Sequence, residues 1–143
     1  MPTDRSEIGS SGDWLKRAKS NLIRARQPKP DEVFWEDYCF DVQQAAEKAL
    51  KALLIHRQIV FRFVHDIAEL LTTLEQNGIS LPEKIRGGAE LSDYAVEVRY
   101  PGPMELVTED EYREALEIAE NVVAWVEKII IPESKVDKTK EQS

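Results

Sequence analysis

Between Asp31 and His56 the chain carries apolar residues wherever one face of a helix would turn inward. Trp35, Tyr38, Cys39, Val42, Ala45, Ala46, Ala49, Leu50, Leu53 and Leu54 step by three, four or one. That spacing paints a continuous stripe along an α-helix of about seven turns. The alanines at its centre carry little side-chain bulk, so a neighbouring helix can approach closely. A helix with so long an apolar face needs other elements to cover it. The stripe therefore predicts the centre of a helical bundle.

The rest of the chain supplies the covering elements. A first segment from about Asp13 to Arg26 places Trp14, Leu15, Ala18, Leu22 and Ala25 on one face, and Gln27-Pro28-Lys29-Pro30 breaks it. Arg57 to Val64 reads as a connection. A third segment, His65 to Gln76, carries Ile67, Leu70, Leu71 and Leu74 and stops at Asn77-Gly78. Ser80-Leu81-Pro82-Glu83 has the capping-box pattern that opens a fourth. Gly87-Gly88 predicts a kink or split inside it, since each glycine costs a helix roughly 1 kcal/mol against alanine. Leu91, Tyr94, Ala95 and Val98 resume the spacing until Tyr100-Pro101-Gly102-Pro103. Thr108 with Glu111 makes a second capping box, before a final segment with Ala115, Ile118, Ala119, Val122, Val126, Ile129 and Ile130.

Five amphipathic segments without a strand pattern predict an all-α fold, an up-and-down bundle of about five helices. The expected organisation is a flexible N-terminus over 1–12, the bundle over 13–131 and a polar, disordered tail over 132–143. No apolar run approaches the roughly 18 residues of a membrane span, so no membrane contact is expected. Met1-Pro2-Thr3-Asp4-Arg5 lacks the layout of a secretory signal. Cys39 is the only cysteine, which rules out an intrachain disulfide and a cysteine-based zinc site. A cytoplasmic location is the expectation.

Net charge is −8, which argues against general affinity for nucleic acid. Its distribution is uneven. Lys16, Arg17, Lys19, Arg24, Arg26 and Lys29 crowd the first segment, whereas Glu105 to Glu127 holds eight acids and only Arg113 as a base. Either these two segments lie near each other or form solvated faces, or the basic one faces an anionic ligand.

Two stretches carry a resemblance. One is Gln43-Gln44-Ala45-Ala46-Glu47-Lys48-Ala49-Leu50-Lys51-Ala52-Leu53-Leu54, followed by His65-Asp66 and Leu70-Leu71. The other is Asp93-Tyr94-Ala95-Val96-Glu97-Val98-Arg99-Tyr100-Pro101 before the closing helix. Together, over about Asp13 to Ile131, they resemble the HEPN family (higher eukaryotes and prokaryotes nucleotide-binding), in its branch of small stand-alone prokaryotic proteins with an Arg-Tyr-Pro element. The resemblance implies a helical bundle that often forms homodimers and often pairs with a minimal nucleotidyltransferase, as in toxin–antitoxin modules. Many such relatives are metal-independent ribonucleases, marked by an Arg followed after four to six residues by a His. Counted from Arg99, that His would fall at Met104, Glu105 or Leu106. None of these does the proton chemistry of imidazole near neutral pH.

The reading preferred is thus a noncatalytic, dimeric module for a nucleotide or RNA, without cofactor or catalytic residue. The alternatives are a ribonuclease toxin with another residue set around Arg99 and Tyr94, and a structural helical adaptor. The candidate ligand residues are Arg99, Tyr94, Asp93, Tyr100, Lys48, Lys51 and Glu47. Each has a plainer role open to it. Arg99 either complements a helix C-terminus or grips phosphate. Tyr94 either packs in the core or stacks on a base. Asp93 is either solvated or a partner for Arg99, and Tyr100 before Pro101 is a natural helix stop. Glu47 and Lys51 have the spacing of an ordinary surface ion pair. Cys39, within the stripe, reads as a small buried hydrophobe. His65-Asp66 reads as a helix start, with no second His or Cys at metal-ligand spacing.

Overall fold

The computed structural model describes residues 9–64, 66–91 and 107–142. Among them are five α-helices and no strand: α1 (Ser11–Ala25), α2 (Trp35–His56), α3 (Ile67–Gln76), α4 (Glu83–Arg86), a 3-10 turn (Gly87–Glu90) and α5 (Glu109–Gln142). The all-α reading is correct, and no helix among the described residues is long and apolar enough to cross a membrane.

Helix α1 starts two residues before the Asp13 expected from the sequence, because the Ser10 hydroxyl caps it by accepting the N–H of Asp13 at 3.1 Å. It buries Leu15, Ala18, Asn21, Leu22 and Ala25. Helix α2 begins later than Asp31. The N–H of Val33 turns back onto the Pro30 carbonyl at 3.1 Å, and the Asp37 carboxylate accepts the N–H of Phe34 at 3.3 Å. The helix proper then runs from Trp35 with Ala45, Ala46, Ala49 and Ala52 all fully buried. It packs against both α1 and α5, as the alanines allow.

The large aliphatic side chains of α2, Leu50, Leu53 and Leu54, are fully covered within one chain. Phe34 and Phe40 near its start, and Val60 and Phe63 in the following connection, are the exposed apolar side chains on this side.

Asp66 caps α3 through the N–H groups of Ala68 and Glu69, so this helix starts at Ile67. Gly78, at φ +86°, ends it with the left-handed geometry that glycine adopts without strain. The capping box expected at Ser80 does not form. Helix α4 starts at Glu83 with Pro82 at its cap position and no side-chain cap. A helix opened at Ser80 would need Leu81 in helical conformation, which the ring of Pro82 disfavours. Leu81 is buried instead. The split at Gly87-Gly88 is present as the 3-10 turn. An added Cβ on Gly88 would lie 3.3 Å from Val122 Cγ2, so the glycine lets the turn lie against α5.

The Thr108–Glu111 capping box forms as expected. Glu111 donates its N–H to the Thr108 hydroxyl at 3.2 Å, and the Glu111 carboxylate accepts the N–H of Thr108 at 3.0 Å. Helix α5 does not end at Ile131. It continues through Pro132 to Gln142, where a disordered tail was expected. Pro132 removes one N–H, the one the Lys128 carbonyl would accept, but the Glu, Lys and Gln that follow are good helix formers.

Contacts fix the helix directions. The N–H of Val107 reaches Glu36 at 2.7 Å, and His56 meets Glu133 at 2.7 Å, so α2 and α5 run the same way. Lys19 pairs with Glu127, and the Tyr112 hydroxyl donates to the Ala25 carbonyl, so α1 runs opposite to α5.

Candidate functional site

Asp93, Tyr94, Arg99 and Tyr100 lie outside the described residues, as do His65 and the three positions where a signature His would fall. The candidate residues on α2 are described, and the helix turns them in two directions.

Glu47 and Lys51 are one turn apart, and the ammonium donates to Glu47 Oε1 at 2.8 Å. The expected pair exists, but it is not on the surface. The two side chains are 2% and 5% exposed. Trp14 of α1 and Phe63 of the connection cover it, with Lys51 Nζ 5.8 and 5.4 Å from their ring centroids. Both distances fall in the range where a ring face attracts a cation. The other carboxylate oxygen, Oε2, accepts from Gln43 at 3.4 Å and Gln44 at 3.3 Å. Gln43 and Glu47 have further interactions beyond these. The Lys51 charge is thus neutralised inside the protein.

Lys48 lies about 100° further round the helix and reaches α1. Its Nζ donates to Asn21 Oδ1 at 2.9 Å. The Asn21 amide nitrogen donates to Asp41 Oδ1 at 3.1 Å, and Arg24 comes within 3.3 Å of the same oxygen. Asn21 is buried, so both ends of its amide are committed. Burial pushes the Lys48 ammonium below its usual range. Arg17 and Arg24 add to this, against the opposing fields of Glu47 and Asp41. The sequence places Lys48 and Lys51 together among the candidate ligand residues. The fold separates them, one half-buried beside α1 and one sealed against Glu47.

The uneven charge of the chain is accounted for in part. Lys19 pairs with Glu127, and Arg26 donates to Glu120 at 3.1 Å, so these two bases meet the acidic last helix. Lys29 donates to the Val33 carbonyl at 2.7 Å and sits over the Trp35 ring. Arg17 and Arg24 point to the other flank, with Lys48.

Asn21, Asp41 and Gln43 were not singled out in the sequence. Asn21 had left a trace, being a polar residue between Ala18, Leu22 and Ala25 on the inward face. Cys39 is buried as expected, and burial beside Glu36 and Glu111 pushes its thiol up to about 12. It stays protonated and is no nucleophile near neutral pH. Among the described residues no group of three His, Cys, Asp or Glu side chains is placed to hold a metal ion.

The HEPN domain matches this chain over residues 11–129. The crystal structure of TT1696 from Thermus thermophilus is 34% identical and superposes with a TM-score of 0.71, covering 82% of this chain and 96% of that one. The crystal structure of an archaeal HEPN homologue is 30% identical with a TM-score of 0.68, covering 85% of this chain and 98% of the other. No curated protein matches it. With the matched region spanning α1 to nearly the end of the apolar part of α5, the chain belongs to the HEPN family.

Proposed function

We propose that this HEPN protein is a dimeric binding module for a nucleotide or RNA, paired with a minimal nucleotidyltransferase in a toxin–antitoxin type of system, and without ribonuclease activity. The observation that carries the binding reading is Lys48. Its half-buried ammonium is held by a buried amide and has two arginines as neighbours. Like charges gathered in this way cost stability unless an anion is shared among them. In this reading Lys48 belongs to the same ligand cleft as Arg99, Tyr94, Asp93 and Tyr100. Arg99 would grip phosphate in two-pronged fashion, and Tyr94 would stack on the base. Glu47 and Lys51 shape the cleft wall and do not touch the ligand.

The absent signature His supports a protein that binds without cutting, since a general base contributes typically about 10²–10⁴-fold. Purified protein is expected to leave RNA intact in the presence of a chelator. Cleavage that stops in Arg99→Ala would overturn this part and favour the ribonuclease alternative. Calorimetric titration with mono- and triphosphate nucleotides at low salt tests the binding. Wild type is expected to bind, and Arg99→Ala and Tyr94→Ala to bind at least tenfold more weakly. Light scattering is expected to give twice the 16.4 kDa of one chain, and a monomer mass at micromolar concentration would remove the dimer from the proposal. The self-neutralised Glu47–Lys51 pair favours the adaptor reading for those two residues alone. If no nucleotide binds to wild type, that reading extends to the whole protein.

A further inference from the structure

We propose a further phosphate-binding surface on the flank where α1 meets α2, formed by Arg17, Arg24 and Lys48 around the buried Asn21. Three observations converge on it. First, Arg17, Asn21 and Arg24 are spaced by four and three residues, so they share one edge of α1. The two arginines stand about 10 Å apart along the axis, at 1.5 Å per residue.

Second, the edge is built. Asn21 is 6% exposed. Its carbonyl oxygen accepts from Lys48 at 2.9 Å, and its amide donates to Asp41 at 3.1 Å. Asp41 in turn lies 3.3 Å from Arg24. One amide thereby orders a lysine on one side and, through a carboxylate, an arginine on the other. Groups ordered before binding lose less entropy when a ligand arrives.

Third, the charge is only partly compensated. Arg24 meets Asp41, and Glu47, whose field also reaches Lys48, is already paired with Lys51, in a chain whose net charge is −8. Among the described residues Arg17 has no ion-pair partner, although α5 supplies partners to Lys19 and Arg26 on the opposite edge of the same helix.

The ligand chemistry is that of phosphate oxygens, either the tail of a nucleoside triphosphate or successive phosphodiesters of a strand. This inference shares Lys48 with the binding reading above and rests on it for the class of ligand. It adds a contact surface on α1 that the recognised motifs do not contain.

The test is fluorescence titration of a labelled single-stranded RNA of about eight nucleotides, with ATP measured in parallel, at several salt concentrations. Three phosphate contacts on a single strand predict a slope of about −2 for log K against log salt. Arg17→Gln/Arg24→Gln is expected to cut affinity at low salt at least tenfold and to flatten the slope to about −0.7. Both side chains are exposed and Asp41 keeps its bond from Asn21, so the variant should unfold close to the denaturant concentration of wild type. Lys16→Gln, exposed on α1 outside the cluster, is expected to change nothing. A loss confined to RNA assigns the site to a strand, and an equal loss with ATP assigns it to a triphosphate tail. If Arg99→Ala weakens binding but the double arginine variant does not, the cleft reading stands and this site falls. The reverse pattern keeps this site and overturns the cleft, and a wild type that binds neither ligand sinks both. If the variant changes only the molecular mass in solution, the flank is a protein contact and the proposal is wrong.

Discussion

A double-mutant cycle on Glu47 and Lys51 separates the surface pair expected from spacing from the buried pair in the fold. An exposed pair one turn apart on a helix contributes about 0.2–0.5 kcal/mol. Here the carboxylate and ammonium side chains are 2% and 5% exposed, so water supplies almost nothing when one partner is removed. Breaking a buried pair typically costs about 3–5 kcal/mol. The Trp14 and Phe63 ring faces return part of that to an unpaired Lys51, about 1–2 kcal/mol together. Glu47→Gln should therefore destabilise by about 1–4 kcal/mol. Lys51→Met removes the ammonium while filling most of the same space.

Because Glu47 has further interactions, neither single variant isolates the pair, but the cycle does. Urea unfolding of wild type, both single variants and the double variant, followed by circular dichroism, gives the coupling energy. The expected value is about 2 kcal/mol or more, with the double variant more stable than the additive sum of the singles. A coupling of about 0.5 kcal/mol or less would mean that the ammonium reaches water past Trp14 and Phe63, and the argument from burial would fail.

Gly88→Ala should destabilise by about 1 kcal/mol in the same assay, because its Cβ would press at 3.3 Å on the stiff, fully buried Val122. Gly87→Ala, which meets nothing within 4 Å at a helical φ of −64°, should be neutral or slightly stabilising. Equal effects at the two positions would refute the packing argument. Cys39 should resist a thiol reagent at pH 8 until the chain unfolds, since burial holds its thiol up to about 12. Its contribution to stability is present below the ordinary value of 9.0 and is lost as pH rises from there towards about 12. Fast labelling of the native protein would show that this part of the α2 stripe opens readily.

What could be read from the sequence was what neighbours along the chain decide. The α2 stripe, the Gly87-Gly88 split and the Thr108–Glu111 box each depend on residues within a turn or two. The Ser80 box failed for a reason equally local, the ring of Pro82 acting on Leu81, and the rule for residues before proline would have found it. The burial of Glu47 and Lys51 was hidden for a different reason. Their covers, Trp14 and Phe63, come from α1 and from the connection after α2, so nothing near residue 47 announces them. Asn21 was halfway between. Its place on the inward face marked it as a buried polar residue, but its partners Asp41 and Lys48 are set only when α1 and α2 pack.

The two directions taken by the polar residues of α2 make stability and binding separable by substitution. Glu47 and Lys51 are about 40° apart around the helix and pair with each other, with Lys51 under Trp14 and Phe63. Lys48 turns instead to Asn21, about 100° from Glu47. A variant at Lys51 should therefore move the unfolding curve and leave the charge of the α1 flank unchanged. Lys48→Gln keeps a donor for Asn21 while removing the charge, so it should weaken anion binding and leave the unfolding curve nearly in place. It also removes the repulsion with Arg17 that helps to hold the Lys48 ammonium below its usual range. If instead Lys48→Gln unfolds the bundle and Lys51→Met abolishes binding, the roles assigned here to the two lysines are reversed. The Asn21 amide would then be a structural strut, and the ligand would have to enter beneath Trp14.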